Sequence, residues 1–130
     1  MSAPADGNQY SIAFELRPAY LYAYVKGDED SYDITIRYWS EIAAACSESR
    51  VKRLLVEEDL EKQIGSMSDI YQGAADLSTM GLAGIKIAFF DRHGDHHDLN
   101  QFGELVATNR GLFCKVFNDF DEAESWLLSD

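Results

Sequence analysis

Three short apolar segments, each followed by a segment with helical periodicity, dominate the C-terminal part of the chain. The apolar segments cover residues 51–56, 85–90 and 113–117. After each of them, apolar residues recur at the three- and four-residue spacing of a helix that packs on a sheet. Parallel strands need connections of this length, so the pattern predicts an α/β fold with a mostly parallel sheet.

The N-terminal part predicts two further strands and one further helix. Residues 10–16 alternate apolar and polar side chains, residues 19–26 are rich in tyrosine, and Pro18 lies between the two segments. Because proline cannot donate to a strand ladder, we expect a hairpin that turns there. Polar residues 28–31 then start a helix that should end near Cys46. The predicted order is β-β-α-β-α-β-α-β-α, with five strands.

The two faces of the predicted strands differ in character. One alternating set of side chains is apolar, whereas the other places Arg53, Lys86 and Lys115 among bulky residues. Strands buried equally on both faces do not fit this pattern. We therefore expect the helices to lie mainly on one face of the sheet and to leave much of the other face open.

The open face is a candidate interface. Tyr20, Tyr22 and Tyr24 alternate along the second strand in the same way as the three cations. Tyrosine beside cationic groups is typical of protein interfaces, so this face could support a homodimer. The alternative is a solvated face whose cations pair with local carboxylates.

Charge and length restrict the classes of partner and the organisation of the chain. The chain has 130 residues and a net charge of -12, which repels nucleic acid and anionic lipid head groups. We expect a disordered tail over residues 1–9 and a single domain over residues 10–130. Neither a signal peptide nor an apolar run of about 20 residues is present, which predicts a cytoplasmic protein without a membrane span. Cys46 and Cys114 have apolar neighbours and are predicted to be buried thiols.

Two polar segments follow neighbouring strands of the predicted sheet. Residues 57–61 form an acidic loop, and residues 91–97 contain aspartates and histidines. Ligands of open α/β sheets collect at the carboxyl ends of the strands, where these loops could meet. The candidate metal ligands are Asp59, Asp91, His93 and Asp95. The alternative is an exposed polar loop, because no established metal-ligand spacing is present.

Motifs for catalysis are absent from the sequence. It has no Gly-x-Ser-x-Gly elbow, no Walker loop and no Gly-x-Gly-x-x-Gly fingerprint. We therefore predict that the protein is not an enzyme and has neither catalytic residues nor a cofactor.

Several local sequences, in their order along the chain, resemble a known family. They are Val25-Lys26-Gly27, Arg53-Leu54-Leu55-Val56-Glu57, Ile85-Lys86-Ile87-Ala88-Phe89, and Val116-Phe117 followed by Glu122-Ala123 and Trp126-Leu127. This pattern resembles the STAS-like, anti-sigma-factor-antagonist-like family of small bacterial proteins, which is related in fold to CRAL-TRIO lipid-binding domains. The resemblance implies a regulatory or binding role.

The resemblance also points to a phosphorylation site. STAS antagonists carry a phosphorylatable serine just after an aspartate, where the loop of the third strand enters the second helix. Here that segment holds Asp59, Ser66 and Ser68, without the compact Asp-Ser-Ser-Gly motif. These residues are the candidate phospho-switch or ligand loop, and the alternative is a serine that only caps the helix.

Three functions are compatible with these observations. The leading hypothesis is a non-enzymatic STAS-like regulatory or binding module that recognises a protein partner or a small apolar or anionic ligand. The first alternative, by analogy with CRAL-TRIO domains, is a carrier of a lipid or hydrophobic metabolite. The second is a metal-dependent enzyme that uses the acidic and histidine loops.

Overall fold

The computed structural model describes residues 9–129, so most of the predicted N-terminal tail lies outside the described residues. The strands are β1 (Tyr10–Leu16), β2 (Leu21–Asp30), β3 (Arg53–Gln63), β4 (Lys86–Asp91) and β5 (Phe113–Phe117). The α-helices are α1 (Tyr32–Ser49), α2 (Met67–Leu77), α3 (His97–Asn109) and α4 (Phe120–Leu128), and a 3-10 turn (Gly94–His96) precedes α3. The predicted order of elements is confirmed.

The strands form one sheet in the order β1-β2-β3-β4-β5. β1 and β2 pair antiparallel as the predicted hairpin, and the other three pairs are parallel. Helices connect the successive parallel strands. The carboxyl ends of β2, β3, β4 and β5 therefore lie along one edge of the sheet, which we call the carboxyl edge.

The prediction of an acidic loop after residue 56 is wrong, because β3 continues to Gln63. β2 is also longer than predicted, and the register pairs Asp30 with Gln63. The alternation of side chains explains the extension, since Glu58 and Leu60 continue the buried set that contains Val56. The extension carries the Glu58 side chain into the core.

The main core lies between one face of the sheet and the helices α1, α2 and α3. Tyr38, Trp39 and Ile42 of α1 belong to the same buried cluster as Val56 of β3 and Ile87 of β4. The helices lie mainly on this face, as predicted. No helix within residues 9–129 is long and apolar enough to cross a lipid bilayer.

α4 packs on the opposite face of the sheet, which the alternation of side chains predicts to be largely open. Ala123 and Leu127 of α4 are buried together with Leu55 of β3, Ala88 of β4 and Phe117 of β5. These strand residues share one face of the sheet with the predicted cations and form an apolar area that needs cover. The centre of this face is therefore a second, smaller core.

Lys86 caps the C-terminal end of α4. Its Nζ atom donates hydrogen bonds to the carbonyl oxygens of Trp126 at 2.6 Å and Ser129 at 2.8 Å. These carbonyls lie at the negative end of the helix dipole, which favours a cation. The Lys86 Nζ atom also lies 4.6 Å from the centroid of the Trp126 ring. The charge of Lys86 thus stabilises the packing of α4 on the sheet.

Replacing Lys86 by methionine should lower the free energy of unfolding by about 1–2 kcal/mol, because the carbonyl groups at the end of α4 lose a charged hydrogen-bond donor. Urea denaturation followed by tryptophan fluorescence measures the change.

Lys115→Met is the matched control. It makes the same change of charge at an exposed position of β5, and it should alter the free energy of unfolding by less than about 0.5 kcal/mol. Equal effects of the two substitutions would show that Lys86 acts through the net charge and not through α4.

Candidate functional site

Three carboxyl groups lie buried at the carboxyl edge of the sheet. Asp30 is the last residue of β2, Glu58 lies within β3, and Asp91 is the last residue of β4. Glu58 and Asp91 are partners in the strand register, and each is only 1% exposed. We call Asp30, Glu58 and Asp91 the buried acidic cluster.

Glu58 is the centre of the buried acidic cluster. Its Oε2 atom accepts a hydrogen bond from the Tyr38 hydroxyl group of α1, whereas its Oε1 atom is buried without a hydrogen-bond partner among residues 9–129. Burial, followed by the charges of Asp30 and Asp91, raises the pKa of Glu58 well above its ordinary value. The protein environment therefore disfavours the ionised form of this group unless a positive charge reaches it.

Asp91 is held by several donors at the start of the loop after β4. Its Oδ1 atom accepts a hydrogen bond from the backbone N–H group of His93 at 2.8 Å. Its Oδ2 atom accepts one from the Asn100 amide at 2.8 Å and lies 3.1 Å from Nδ1 of His96. His96, the last residue of the 3-10 turn, is 4% exposed. Asp91 and His96 thus form a buried carboxylate–imidazole pair.

Asp30 closes the cluster on the side of β2. It accepts hydrogen bonds from the Thr35 hydroxyl group at 2.7 Å and the Gln63 side-chain amide at 3.1 Å. Burial is the largest cause that raises the pKa of Asp30. Because both donors are neutral, they satisfy the oxygen atoms without supplying a compensating charge.

A cavity of about 110 Å³ lies between the sheet and α1, α2 and α3, and it is partly open to solvent. Its wall is mostly apolar and includes Trp39, Ile87 and Phe89. Asp30 and Glu58 are also part of the wall. The cavity therefore combines an apolar surface with two carboxyl groups of the buried acidic cluster.

Cys114 lies half-buried in the cavity wall, and Cys46 is fully buried in the main core. Burial raises the pKa of each thiol to about 11. Both thiols are therefore protonated at neutral pH and are poor nucleophiles.

A second polar group of residues lies on the opposite face of the sheet. Asp59 accepts a hydrogen bond from the Tyr24 hydroxyl group at 2.7 Å, and it lies 2.8 Å from Nε2 of His93 and 3.5 Å from Arg92. Although burial acts to raise the pKa of Asp59, hydrogen bonds from Tyr24 and His93 and the charge of Arg92 lower it below its ordinary value. Asp59 is thus an ionised group with local partners.

The candidate metal ligands proposed from the sequence are divided between the two faces. Asp59 faces His93, whereas Asp91 belongs to the buried acidic cluster and pairs with His96; the rings of His93 and His96 lie 5.5 Å apart. The side chain of Asp95 is 82% exposed. Asp59, which belongs to β3, lies beside His93 of the loop after β4, and Asp91 lies beside His96 of the same loop.

The candidate phospho-switch residues also lie in different elements, with Asp59 in β3 and both Ser66 and Ser68 at the start of α2. Ser66 is the N-cap of α2, and its side chain accepts a hydrogen bond from the backbone N–H group of Asp69 while the Asp69 carboxylate accepts one from the Ser66 backbone. Ser68 is exposed in the first turn of α2. Ser66 therefore has a structural role as half of a capping box, and phosphorylation of either serine stays a prediction.

The candidate interface residues share one face, but several of them contact residues of the same chain. Tyr20 is 4% exposed and donates a hydrogen bond to Glu124 of α4. Tyr22 donates one to Glu57 at 2.6 Å, and Lys86 caps α4. Arg53 is half-buried beside Lys86 in the register, and Lys115 is exposed. A homodimer through this face stays a prediction.

Sequence reasoning missed Asp30, Glu58 and His96 as members of the site. The signal for Glu58 was its position in the alternation, because it lies two residues after Val56 and two before Leu60, which are both buried. Asp91 follows Ile87 and Phe89 in the same way. A carboxylate on the buried side of a strand indicates a functional site more strongly than a carboxylate in a loop does.

Comparison with solved structures identifies the fold. The chain is similar to an uncharacterised protein of the DUF3478 family from Shewanella loihica PV-4, which has a SpoIIAA-like fold, with a TM-score of 0.55, 16% sequence identity and 98% of each chain covered. The STAS-like fold predicted from the sequence is confirmed, and the relation to CRAL-TRIO domains stays a prediction. No protein-family model matches the chain, and neither does any curated protein.

Tyr38→Phe should lower the free energy of unfolding by about 2–3 kcal/mol, because it removes the hydrogen bond to Glu58 and leaves a buried carboxyl group without a protein donor. Chemical denaturation of the wild-type protein and the variant measures the difference.

Tyr22→Phe is the matched control, since it also removes a tyrosine–glutamate hydrogen bond but at a site that is only partly buried. Its effect should stay below about 1 kcal/mol. If Tyr38→Phe were as mild as Tyr22→Phe, the proposed dependence of Glu58 on Tyr38 would be refuted.

Proposed function

We propose that the protein is a non-enzymatic binding module of the STAS-like fold that holds a small, uncharged and largely apolar molecule in the cavity beneath α1, α2 and α3. The observation that supports the proposal is the cavity itself, with a volume of about 110 Å³ and a mostly apolar wall. Cavities lined by apolar groups with a few polar groups are the usual form of a small-molecule site. Recognition of a protein partner, which the resemblance implies, stays a prediction.

The size of the cavity favours a ligand of about one ring. An engineered apolar cavity of about 150 Å³ accepts benzene, so a cavity of about 110 Å³ fits one aromatic ring, and because it is partly open a small substituent can extend toward the opening. A long acyl chain would need a larger space. The observation therefore favours a small ligand over the lipid that the carrier hypothesis requires.

The charge of the cavity wall disfavours an anion. The wall contains the carboxyl groups of Asp30, Glu58, Asp69 and Glu104. An anionic ligand would enter a poorly solvated space beside groups of its own sign, which costs free energy. Of the apolar and anionic ligands considered from the sequence, the apolar class is the one that the cavity supports.

Two glycines in the cavity wall are positions at which a substitution can test ligand binding directly. Gly73 of α2 and Gly103 of α3 lie in its wall without side chains. A Cβ atom at Gly103 would lie 3.5 Å from Cγ2 of Ile70, which is an ordinary contact. An alanine therefore fits at this position, whereas a leucine would fill part of the space that Gly103 leaves in the cavity wall.

Benzyl alcohol should bind in the cavity of the wild-type protein, and benzoate should not. At about 0.5 kcal/mol per heavy atom, an eight-atom ligand binds with a Kd on the order of 1 mM. NMR titration of the ¹⁵N-labelled protein should show saturable shifts at Gly73, Gly103, Cys114 and their neighbours with the alcohol. Equal shifts with the carboxylate, or shifts elsewhere only, would contradict the proposal.

Gly103→Leu should abolish the NMR chemical-shift changes that benzyl alcohol causes, and Gly103→Ala is the control that should retain them. Gly103→Ala should also raise the free energy of unfolding by about 0.5–1 kcal/mol, because alanine is favoured over glycine inside a helix. Circular dichroism and thermal unfolding verify that both variants are folded. A folded Gly103→Leu variant that binds benzyl alcohol as well as the wild type does would rule out this cavity as the site.

A further inference from the structure

Glu58, Asp91 and His96 place three metal-ligating groups around one point. One ligand atom from each residue lies within 4.8 Å of the other two. Within residues 9–129 they are the only group of three histidine, cysteine, aspartate or glutamate side chains with this geometry. The residues come from β3, the end of β4 and the 3-10 turn, so the sheet and the turn hold them together.

The charge of this group is not balanced by its hydrogen-bond donors. Glu58 accepts a hydrogen bond from the neutral Tyr38 hydroxyl group. Asp91 accepts hydrogen bonds from the neutral Asn100 amide and from a backbone N–H group. The cation that follows β4, Arg92, lies near Glu57 and Asp59 on the opposite face of the sheet. Buried carboxylates without a paired cation are typical of sites that coordinate a metal ion.

The unpartnered oxygen atom of Glu58 is an independent indication of a ligand. Its Oε1 atom is buried and accepts no hydrogen bond within residues 9–129, and the residue is 1% exposed. An acceptor in this state costs about 1–3 kcal/mol, and more for a charged group. A metal ion beside Oε1 would satisfy the atom and would supply the positive charge that the ionised form of Glu58 requires.

The spacing of the groups fits coordination of one ion. Nδ1 of His96 and Oδ2 of Asp91 lie 3.1 Å apart. Two ligands at about 2.1 Å from one ion, separated by about 90–110°, lie about 3.0–3.4 Å apart. We call Glu58, Asp91 and His96 the triad. Tyr38 donates a hydrogen bond to Glu58 and Asn100 donates one to Asp91 from outside the triad, which is how outer groups orient metal ligands.

We infer that Glu58, Asp91 and His96 bind one divalent first-row transition-metal ion. The donor set, one imidazole with carboxylates, suits Zn²⁺ or Mn²⁺ better than Ca²⁺, which takes six to eight oxygen ligands. The inference goes beyond the proposed function, because Asp91 and His96 are not part of the cavity wall. Glu58 belongs both to the three metal ligands and to the cavity wall, so the ion would lie next to the cavity.

The test uses the full chain after removal of metal with EDTA and exchange into chelator-free buffer. Calorimetric titration with Zn²⁺ should give one ion per chain, and Ca²⁺ should bind much more weakly. Addition of Mn²⁺ to the ¹⁵N-labelled protein should broaden the signals of the residues around Glu58, Asp91 and His96, which include His93. No saturable binding of Zn²⁺ or Mn²⁺ would overturn the inference.

Substitutions distinguish the triad from the neighbouring histidines. His96→Ala and Glu58→Gln should each weaken Zn²⁺ binding by more than about tenfold, while His93→Ala and His97→Ala should change it by less than about threefold. The Gly103→Leu variant should no longer bind benzyl alcohol but should still bind Zn²⁺. The proposed ligand cavity and the proposed metal site can therefore fail separately. A folded His96→Ala variant with unchanged Zn²⁺ affinity would exclude the triad as the site.

Discussion

The burial of Glu58 at the carboxyl edge of the sheet is the constraint that organises the rest of this region. A carboxyl group that is removed from water is costly by several kcal/mol unless it gains hydrogen bonds or a cation. The parallel register of β3 and β4 adds Asp91 as a direct neighbour, and the end of β2 adds Asp30. Because the strands fix these positions, the carboxyl groups cannot move apart, and the surrounding residues must accommodate them.

The surrounding elements provide partial compensation. Tyr38 projects from α1 toward Glu58, and Asn100 projects from the first turns of α3 toward Asp91. These contacts supply hydrogen bonds but no full positive charge. The apolar contacts of α1, α2 and α3 with the sheet must therefore stabilise the fold against an unfavourable electrostatic term in its own core.

The sequence was sufficient to predict the fold but not the site, and Glu58 shows why. Hydrophobic periodicity of 2 and 3.6 residues identified the strands and helices, since burial on one face repeats in the sequence. The run of acidic residues after Val56 favours a loop, because glutamate and aspartate are disfavoured in strands. Pairing with β2 and the burial of Leu60 outweighed that local preference. The alternation of buried and exposed side chains along the strand does predict the burial of Glu58, because Glu58 lies two residues from both Val56 and Leu60.

The positions of the polar residues could be predicted only in part. Asp59 and His93 do lie together at 2.8 Å, although Asp59 belongs to β3 and only His93 lies in a loop. The strand register pairs Asp91 with Glu58. Successive side chains of a strand point to opposite faces, so Asp59, the residue after Glu58, lies on the face opposite Asp91. Likewise, Lys86 could be assigned to the face opposite the main core, but its role as the cap of α4 depends on where that helix packs.

Two unfavourable features of this protein occur at the same place, and their coincidence supports a functional interpretation. Glycine inside a helix costs about 0.5–1 kcal/mol relative to alanine, and Gly73 and Gly103 both lie in the cavity wall. Packing does not require them, since a Cβ atom at either position would meet only ordinary contacts at 3.6 or 3.5 Å. The unpartnered oxygen atom of Glu58 borders the same cavity. Departures from optimal stability tend to collect at functional sites, where binding requires space and unsatisfied polar groups.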